Sequence, residues 1–285
     1  MQAITEGYGL IEGPIWVAGK GVLFSDVQFG GVFCLDENNN VEQLFEHRKG
    51  IGGMAEHAQG GVVVSGRNIS FKSYLGGPTV ILLDREEQAG LMGFNDIVAD
   101  PQGRVYAGGL SGNPLANDGT APAAENLYLI DVDGTARVVA RDIRLTNGLG
   151  FSPDGKTLYH SDTLRRSVFS YAVSSDGSLG PKEVFASTER GLPDGLKVSE
   201  DGAVWVALAD GGSGVAVYNA DSSLREYIDI PHPMCTSLCF GGDDLKDLYI
   251  VSGSDGLPGD KAGGIFKIRT DVPGLPLAVA KIRLA

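Results

Sequence analysis

The sequence predicts an all-β, six-bladed propeller with four-stranded blades. Three observations point there: a turn-plus-strand phrase that recurs six times, a spacing that suits one blade per copy, and almost no helical periodicity over any long stretch. The phrase is a turn glycine followed by β-branched, aromatic or aliphatic residues. Its copies are AGKGVLFSD from Ala18, AQGGVVVSG from Ala58, DPQGRVYAGG from Asp100, SPDGKTLYHSD from Ser152, SEDGAVWVAL from Ser199 and DDLKDLYIVSG from Asp243. The last has Lys246 where the others have glycine.

From Gly19 to Gly60, Gly103, Gly155, Gly202 and Lys246 the intervals are 41, 43, 52, 47 and 44 residues. Leucine-rich repeats would be far shorter, whereas propeller blades fit. Ahead of each turn lies the segment expected to be the innermost strand: EGPIW, GGMAEHA, NDIVAD, TNGLGFS, PDGLKVS and CTSLCFG. After each copy comes a further extended segment: GGVFCLD, PTVILLD, ENLYLID, SVFSYAV, GVAVYN and GGIFKIR. Four units add a clear outer strand, VEQLFE, ARVVARD, KEVFAS and LREYIDI. A ring of blades must close, since an open sheet edge is a liability, and the N-terminal MQAITEG and C-terminal LAVAKIRLA are the expected clasp.

One propeller domain over residues 1–285 accounts for the whole chain. The 42 glycines and 13 prolines punctuate a folded core, because 42% of residues are hydrophobic, too many for a disordered chain. With 23 basic against 36 acidic residues the formal charge is -13, and no basic stripe interrupts it. Nucleic acid and anionic membrane are therefore poor partners, and a small molecule is the expected one. Cys34, Cys235 and Cys239 form no CxxC pair, and residues four apart on a strand lie ~13 Å apart. They read as reduced thiols. The start MQAITEGYGL carries no signal-type segment and no long apolar run follows, so a cytoplasmic monomer or small homo-oligomer is expected.

Counting back from each turn glycine reaches the start of the inner strand, where a side chain faces the mouth of the channel. Glu12 lies seven residues before Gly19; Asn95, Asn147 and Asp194 lie eight before Gly103, Gly155 and Gly202. The second blade has Gly52 there, and the sixth is too irregular to align. Equivalent positions in different blades point at one axis. Asn and Asp beside glycine also form ordinary turns, but turn chemistry does not call for the glutamate next to Pro14. Two carboxylates and two amides make an oxygen-only set suited to Ca²⁺ or Mg²⁺, with Zn²⁺, Mn²⁺ or Fe²⁺ also able to occupy it. Two carboxylates buried together without a cation would be costly.

The chain resembles the senescence marker protein, gluconolactonase and luciferin-regenerating family along essentially its whole length. The resemblance is carried by EGPIW at Glu12–Trp16, FNDIVADPQGR at Phe94–Arg104, TNGLGFSPDGKTLYHSDT at Thr146–Thr163, PDGLKVSEDGAVWVA at Pro193–Ala207, CFGGDDLKDLYIVSG at Cys239–Gly253 and AGGIFKI at Ala262–Ile268. It implies a catalytic divalent metal, Ca²⁺ first among candidates, held by Glu12, Asn147 and Asp194. It also implies that Asn95 contacts substrate or metal-bound water, and that the reaction is the opening of a sugar-type lactone. Sugar-lactone members often carry an arginine two residues before that asparagine, and this sequence has Gly93. Glu125 and Arg67 are the further candidate substrate contacts, and residues 108–126 the expected pocket loop.

On chemical grounds Asp194 is the expected general base, with Glu12 and Asn147 anchoring the metal. Two alternatives are another metal-dependent esterase or phosphotriesterase on this scaffold, and a non-enzymatic calcium-binding propeller. The stretch GFSPDGKT matches the phosphate-loop spacing, but TLYHSDT after it reads as a strand, not the helix that motif requires. His47, His57, His160 and His232 show no metal-type pairing. Trp16 and Trp205 read as core residues.

Overall fold

A computed structural model describes residues 1–46, 48–87, 90–112 and 123–284. After the N-terminal strand β1 (Gln2–Tyr8), the chain forms blade 1 from β2 (Ile11–Val17), β3 (Gly21–Asp26), β4 (Val32–Leu35) and β5 (Val41–Phe45). Blade 2 comprises β6 (Met54–His57), β7 (Gly61–Val64), β8 (Ile69–Ser73) and β9 (Val80–Leu83). Blade 3 comprises β10 (Gly93–Ala99), β11 (Val105–Leu110), β12 (Glu125–Ile130) and β13 (Ala136–Ile143). Blade 4 is β14 (Thr146–Phe151), β15 (Thr157–Asp162), β16 (Ser167–Ala172) and β17 (Glu183–Ser187). Blade 5 is β18 (Leu192–Val198), β19 (Val204–Ala209), β20 (Gly214–Tyr218) and β21 (Leu224–Asp229). Blade 6 takes β22 (Cys235–Gly241), β23 (Asp247–Ser252) and β24 (Gly263–Arg269), with β1 as its fourth strand.

Every blade is a four-stranded antiparallel sheet, five of them meanders of consecutive strands, in the six-bladed arrangement the repeats predict. The turn glycines Gly19, Gly60, Gly103, Gly155 and Gly202 have φ between 68° and 91°, a region glycine enters without penalty. In the sixth copy Leu245 takes the left-handed conformation, at φ 53°. Blade 2 departs from the expected parsing. PTVILLD forms its outer strand β9, and the third strand is NISFKS, whose alternation is too short to stand out. The GFSPDGKT stretch is a turn between β14 and β15, without a helix.

The apolar core is partitioned among the seams between blades. Ile15, Leu23 and Val32 of blade 1 meet Val62 and Val64 of blade 2, for example, and Val206 and Leu208 of blade 5 meet Tyr159 and Val168 of blade 4. Each seam has such a cluster, so burial holds the ring together sideways. Trp205 lies inside one, while Trp16 is half-buried and stacks on Tyr249. All three cysteines are free and buried.

Closure differs from expectation in one half. β1 pairs with β24 and completes the ring, but the C-terminal run adds no strand to a blade, meeting β6 only through a parallel bridge from Ala280 to His57. It crosses the face at the far ends of the inner strands. Leu275 N donates to Val198 O, Ala280 N to Glu56 O, Lys281 N to Gly103 O and Arg283 N to Val132 O. Buried His57 fastens it further, through Nε2 to Ile282 O at 2.9 Å. No helix among the described residues is long and apolar enough to cross a membrane.

Candidate functional site

The inner strands begin on one face, and there their regular pairing breaks. Register shifts fall between Glu12 and Ile15, Phe94 and Ile97, Thr146 and Leu149, Pro193 and Leu196, and Cys235 and Ser237. Such bulges re-aim side chains that a flat strand would send alternately to its two faces. Neighbouring strands also approach closely: a Cβ on Gly148 would lie 2.1 Å from Leu196 N, and one on Gly195 the same distance from Ser237 Oγ. Glycine is what lets the ring tighten here.

Of the residues read from the sequence, Asn95 and Asn147 are hydrogen-bonded to each other, and Glu12 and Asp194 lie within electrostatic reach of one another. Asn95 Nδ2 donates to Asn147 Oδ1 at 2.8 Å and to Thr146 O at 2.7 Å. Asn147 Nδ2 donates to Thr163 Oγ1 at 2.7 Å, and that hydroxyl donates to Pro193 O, next to Asp194, at 2.8 Å. Asp194 is 4% exposed, and its Oδ1 is buried without a hydrogen-bond partner among the described residues. Burial raises the Glu12 carboxyl well above the ordinary range, and the charges of Asp194 and Asp96 push it further. Burial does the same to Asp194, with Asp96 adding to it and the Gly195 amide pulling the other way.

Asp96 joins them although nothing in the sequence marks it. Strict alternation along β10 would put it on the opposite face from Asn95, but the bulge between Phe94 and Ile97 brings it into the electrostatic reach of Glu12 and Asp194. It is buried, and burial lifts its carboxyl to about 6 against the pull of the Lys197 ammonium and the Ile97 amide. Thr163 carries no such mark either, since it follows β15, 16 residues after the Asn147 it supports. The unaligned sixth-blade position holds Thr236, fully buried, whose hydroxyl donates to Ile11 O at 2.5 Å and stitches blade 6 to blade 1.

The two peripheral candidates sit apart from this network. Arg67 is 68% exposed and pairs with Glu86 at 3.1 Å. Glu125 starts β12, half-buried, its carboxyl raised by burial and restrained by the Asn126 amide and Ser111. Of the expected pocket loop, residues 113–122 lie outside the described residues. Gly93 has a structural reason: a Cβ there would stand 2.5 Å from Gly66 O, because Gly66 and Phe94 bridge blades 2 and 3 through their backbones. His160 is fully buried, with Nε2 3.2 Å from Thr146 Oγ1. His232, also buried, engages Ser252 at 2.8 Å.

Among the described residues no group of three or more His, Cys, Asp or Glu side chains is disposed to hold a metal. Any cation here would therefore need amide oxygens beside the two carboxylates. The residues present fit that demand. Asp194 has a buried oxygen without a partner among the described residues, Glu12 stands close enough to be raised by its charge, and Asn147 presents Oδ1 on the side of Asn95. An all-oxygen set of this kind matches a hard divalent ion.

Fold and site together define a six-bladed propeller with a polar, acid-rich ring at one end of its channel. The chain belongs to the SMP-30/gluconolactonase/LRE-like family, whose profile matches residues 10–254. It is 30% identical to pentonolactonase XacC of Haloferax volcanii, over 96% of this chain and 95% of that protein. It is 31% identical to the 6-deoxy-6-sulfogluconolactonase of Pseudomonas putida, over 92% of each. A luciferin-regenerating enzyme superposes with a TM-score of 0.87 over 98% of this chain and 97% of its own, at 23% identity, a likeness of fold.

Proposed function

We propose that this protein is a divalent-metal-dependent lactonase that opens a sugar-type lactone. Glu12, Asn147 and Asp194 would hold the metal, with Ca²⁺ the first candidate. The observation that carries the reading is the gathering of the half-buried Glu12 and the buried Asp194, the first raised by the charge of the second and both by that of Asp96, with an Asp194 oxygen that has no partner among the described residues beside oriented amides. Two relatives that match nearly end to end are named as sugar lactonases, which supports the substrate class.

Held by Glu12, Asn147 and Asp194, a divalent cation would supply Lewis acidity to a lactone carbonyl and would offset the charge of the two carboxylates. Asp194 takes the proton from the attacking water and delivers it to the ring oxygen as the acyl C–O bond breaks, leaving a hydroxy acid. Asn95 has both amide hydrogens engaged, by Thr146 O and Asn147 Oδ1, so what it offers a substrate is Oδ1. An acceptor there suits a hydroxyl of a sugar ring. Glu125 and Arg67 are the proposed outer contacts.

A second reading, a metal-dependent esterase or phosphotriesterase with a less hydroxylated substrate, is favoured by one observation. At Gly93 the Gly66 carbonyl leaves no room for the side chain that sugar-lactone members often use. The test is a pH-indicator hydrolysis screen of metal-stripped protein resupplied singly with Ca²⁺, Mg²⁺, Mn²⁺, Zn²⁺ or Fe²⁺, against sugar lactones, simple lactones, aryl esters and a phosphotriester. Metal-restored opening of sugar lactones is the expected result. Turnover restricted to aryl esters or the phosphotriester selects the second reading, and turnover indifferent to metal removes both.

A further inference from the structure

We propose that Thr163 is a positioning residue that sets which atom of the Asn147 amide faces the metal. The inference rests on the reading of Asn147 as a ligand. Thr163 is 5% exposed, at the start of a short 3-10 turn after β15, and its own backbone N–H is held by Leu145 O at 3.0 Å. Its side chain is therefore fixed by both its backbone and its surroundings.

A count of hydrogens makes the network directional. A threonine hydroxyl has one proton, and this one is committed to Pro193 O, a carbonyl that can only accept, at 2.8 Å. Toward Asn147 the hydroxyl can then only accept, so Asn147 must present its NH₂ there, at 2.7 Å. The opposite edge of the same amide is consequently Oδ1. That edge meets Asn95 Nδ2 at 2.8 Å, and the second Asn95 proton goes to Thr146 O at 2.7 Å. Asn95 Oδ1 is in turn directed to where a Cβ on Gly52 would lie, 2.3 Å away. The Thr163 hydroxyl thus orients Asn147 from one side, while Thr146 O, which can only accept, orients Asn95 and through it holds the same Asn147 edge from the other.

The orientation matters because an asparagine presents a ligand on one edge and two N–H donors on the other. A flipped Asn147 would aim partial positive charge at a cation. Without the hydroxyl, nothing in this network distinguishes the two edges on the Thr163 side, and Pro193 O beside Asp194 loses its partner. Removal of such a supporting partner typically weakens metal affinity about 10- to 100-fold.

The experiment is calorimetric titration of metal-stripped protein with Ca²⁺ and with Mn²⁺, for wild type, Thr163→Val, Thr163→Ala, Thr163→Ser and Asn147→Leu. Thr163→Val keeps the shape and Thr163→Ala guards against a fold problem with the first. The expected result is a Kd raised about 10-fold or more in both hydroxyl-free variants, and a value within about 2-fold of wild type for Thr163→Ser. If Asn147→Leu abolishes binding while both hydroxyl-free variants bind like wild type, the role of Thr163 is overturned and the ligand reading stands. Equal loss in Thr163→Ser also overturns it, since packing would then be responsible. If Asn147→Leu binds metal normally, or wild type binds none, the ligand reading itself fails and the proposal falls with it.

Discussion

The two ends of the same inner strands are built differently. At their starting ends the strands bulge in five blades and bring Glu12, Asn95, Asp96, Asn147 and Asp194 into one electrostatic neighbourhood. At their finishing ends the pairing is regular. Ile15, Met54, Ile97, Leu149 and Lys197 line a cavity of about 280 Å³ there, lined on one side by Leu275–Ala278 of the C-terminal run. Like charges gathered at one end cost stability in the metal-free protein, and at the other end the C-terminal run covers the strands and is held by backbone hydrogen bonds. The contrast shows how a single strand can carry chemistry and support only two or three residues apart, as with Glu12 and Ile15 or Asn147 and Leu149.

The sharpest way to separate the ends is Asp194→Asn. Loss of the proposed base is expected to lower kcat/KM about 10³-fold or more, about 4 kcal/mol of transition-state stabilisation. The thermal midpoint of the metal-free protein should be unchanged or higher, since a carboxylate repelling Glu12 is removed. Hydrolysis within about 10-fold of wild type would break the assignment of Asp194 as base.

Ile282→Ala probes the other end. This fully buried side chain of the C-terminal run packs into the seam of blades 2 and 3, and its loss is expected to cost about 2–5 kcal/mol of stability. Turnover per folded molecule should stay within about 2-fold. A denaturation curve and a kcat measurement together decide; a large fall in kcat at full folding would mean that the two ends are coupled.

The smallest effect depends on pH. The folded protein holds the Asp96 proton more tightly than the unfolded chain does, its carboxyl being lifted to about 6 by burial. The associated stability is fully present below the ordinary aspartate value of about 4 and declines as pH rises through about 6, by at most about 3 kcal/mol. Metal-free Asp96→Asn should therefore exceed wild type in stability at pH 7.5 and match it near pH 4, as read by urea denaturation. A difference independent of pH would remove Asp96 from the charged end.

The blade repeat was legible because it is local: a turn glycine and the strand after it lie within ten residues, and turn chemistry recurs at each copy. Glu12, Asn95, Asn147 and Asp194 were legible by register, since each is counted from its own turn. Asp96 was not, because a bulge overrides alternation and nothing in FND marks one. Thr163 was hidden for a different reason: its significance lies in hydrogen bonds to blade 4's own inner strand and to Pro193 in blade 5. The C-terminal run read as part of a clasp because it is apolar and terminal, and only its partners at Val198, Glu56 and Gly103 reveal a strap.

By itself the sequence determined the blade count, the strand order within most blades and the shared register of four oxygen-bearing positions near the starts of inner strands. These follow from periodicity, which a linear chain records directly. The tertiary structure alone decided which amide edge faces the ring, which extra carboxylate joins it, why residue 93 has no side chain, and how the far end is covered. Those depend on close approaches between segments some 25 to 225 residues apart, where hydrogen-bond direction and excluded volume act only once the ring has closed.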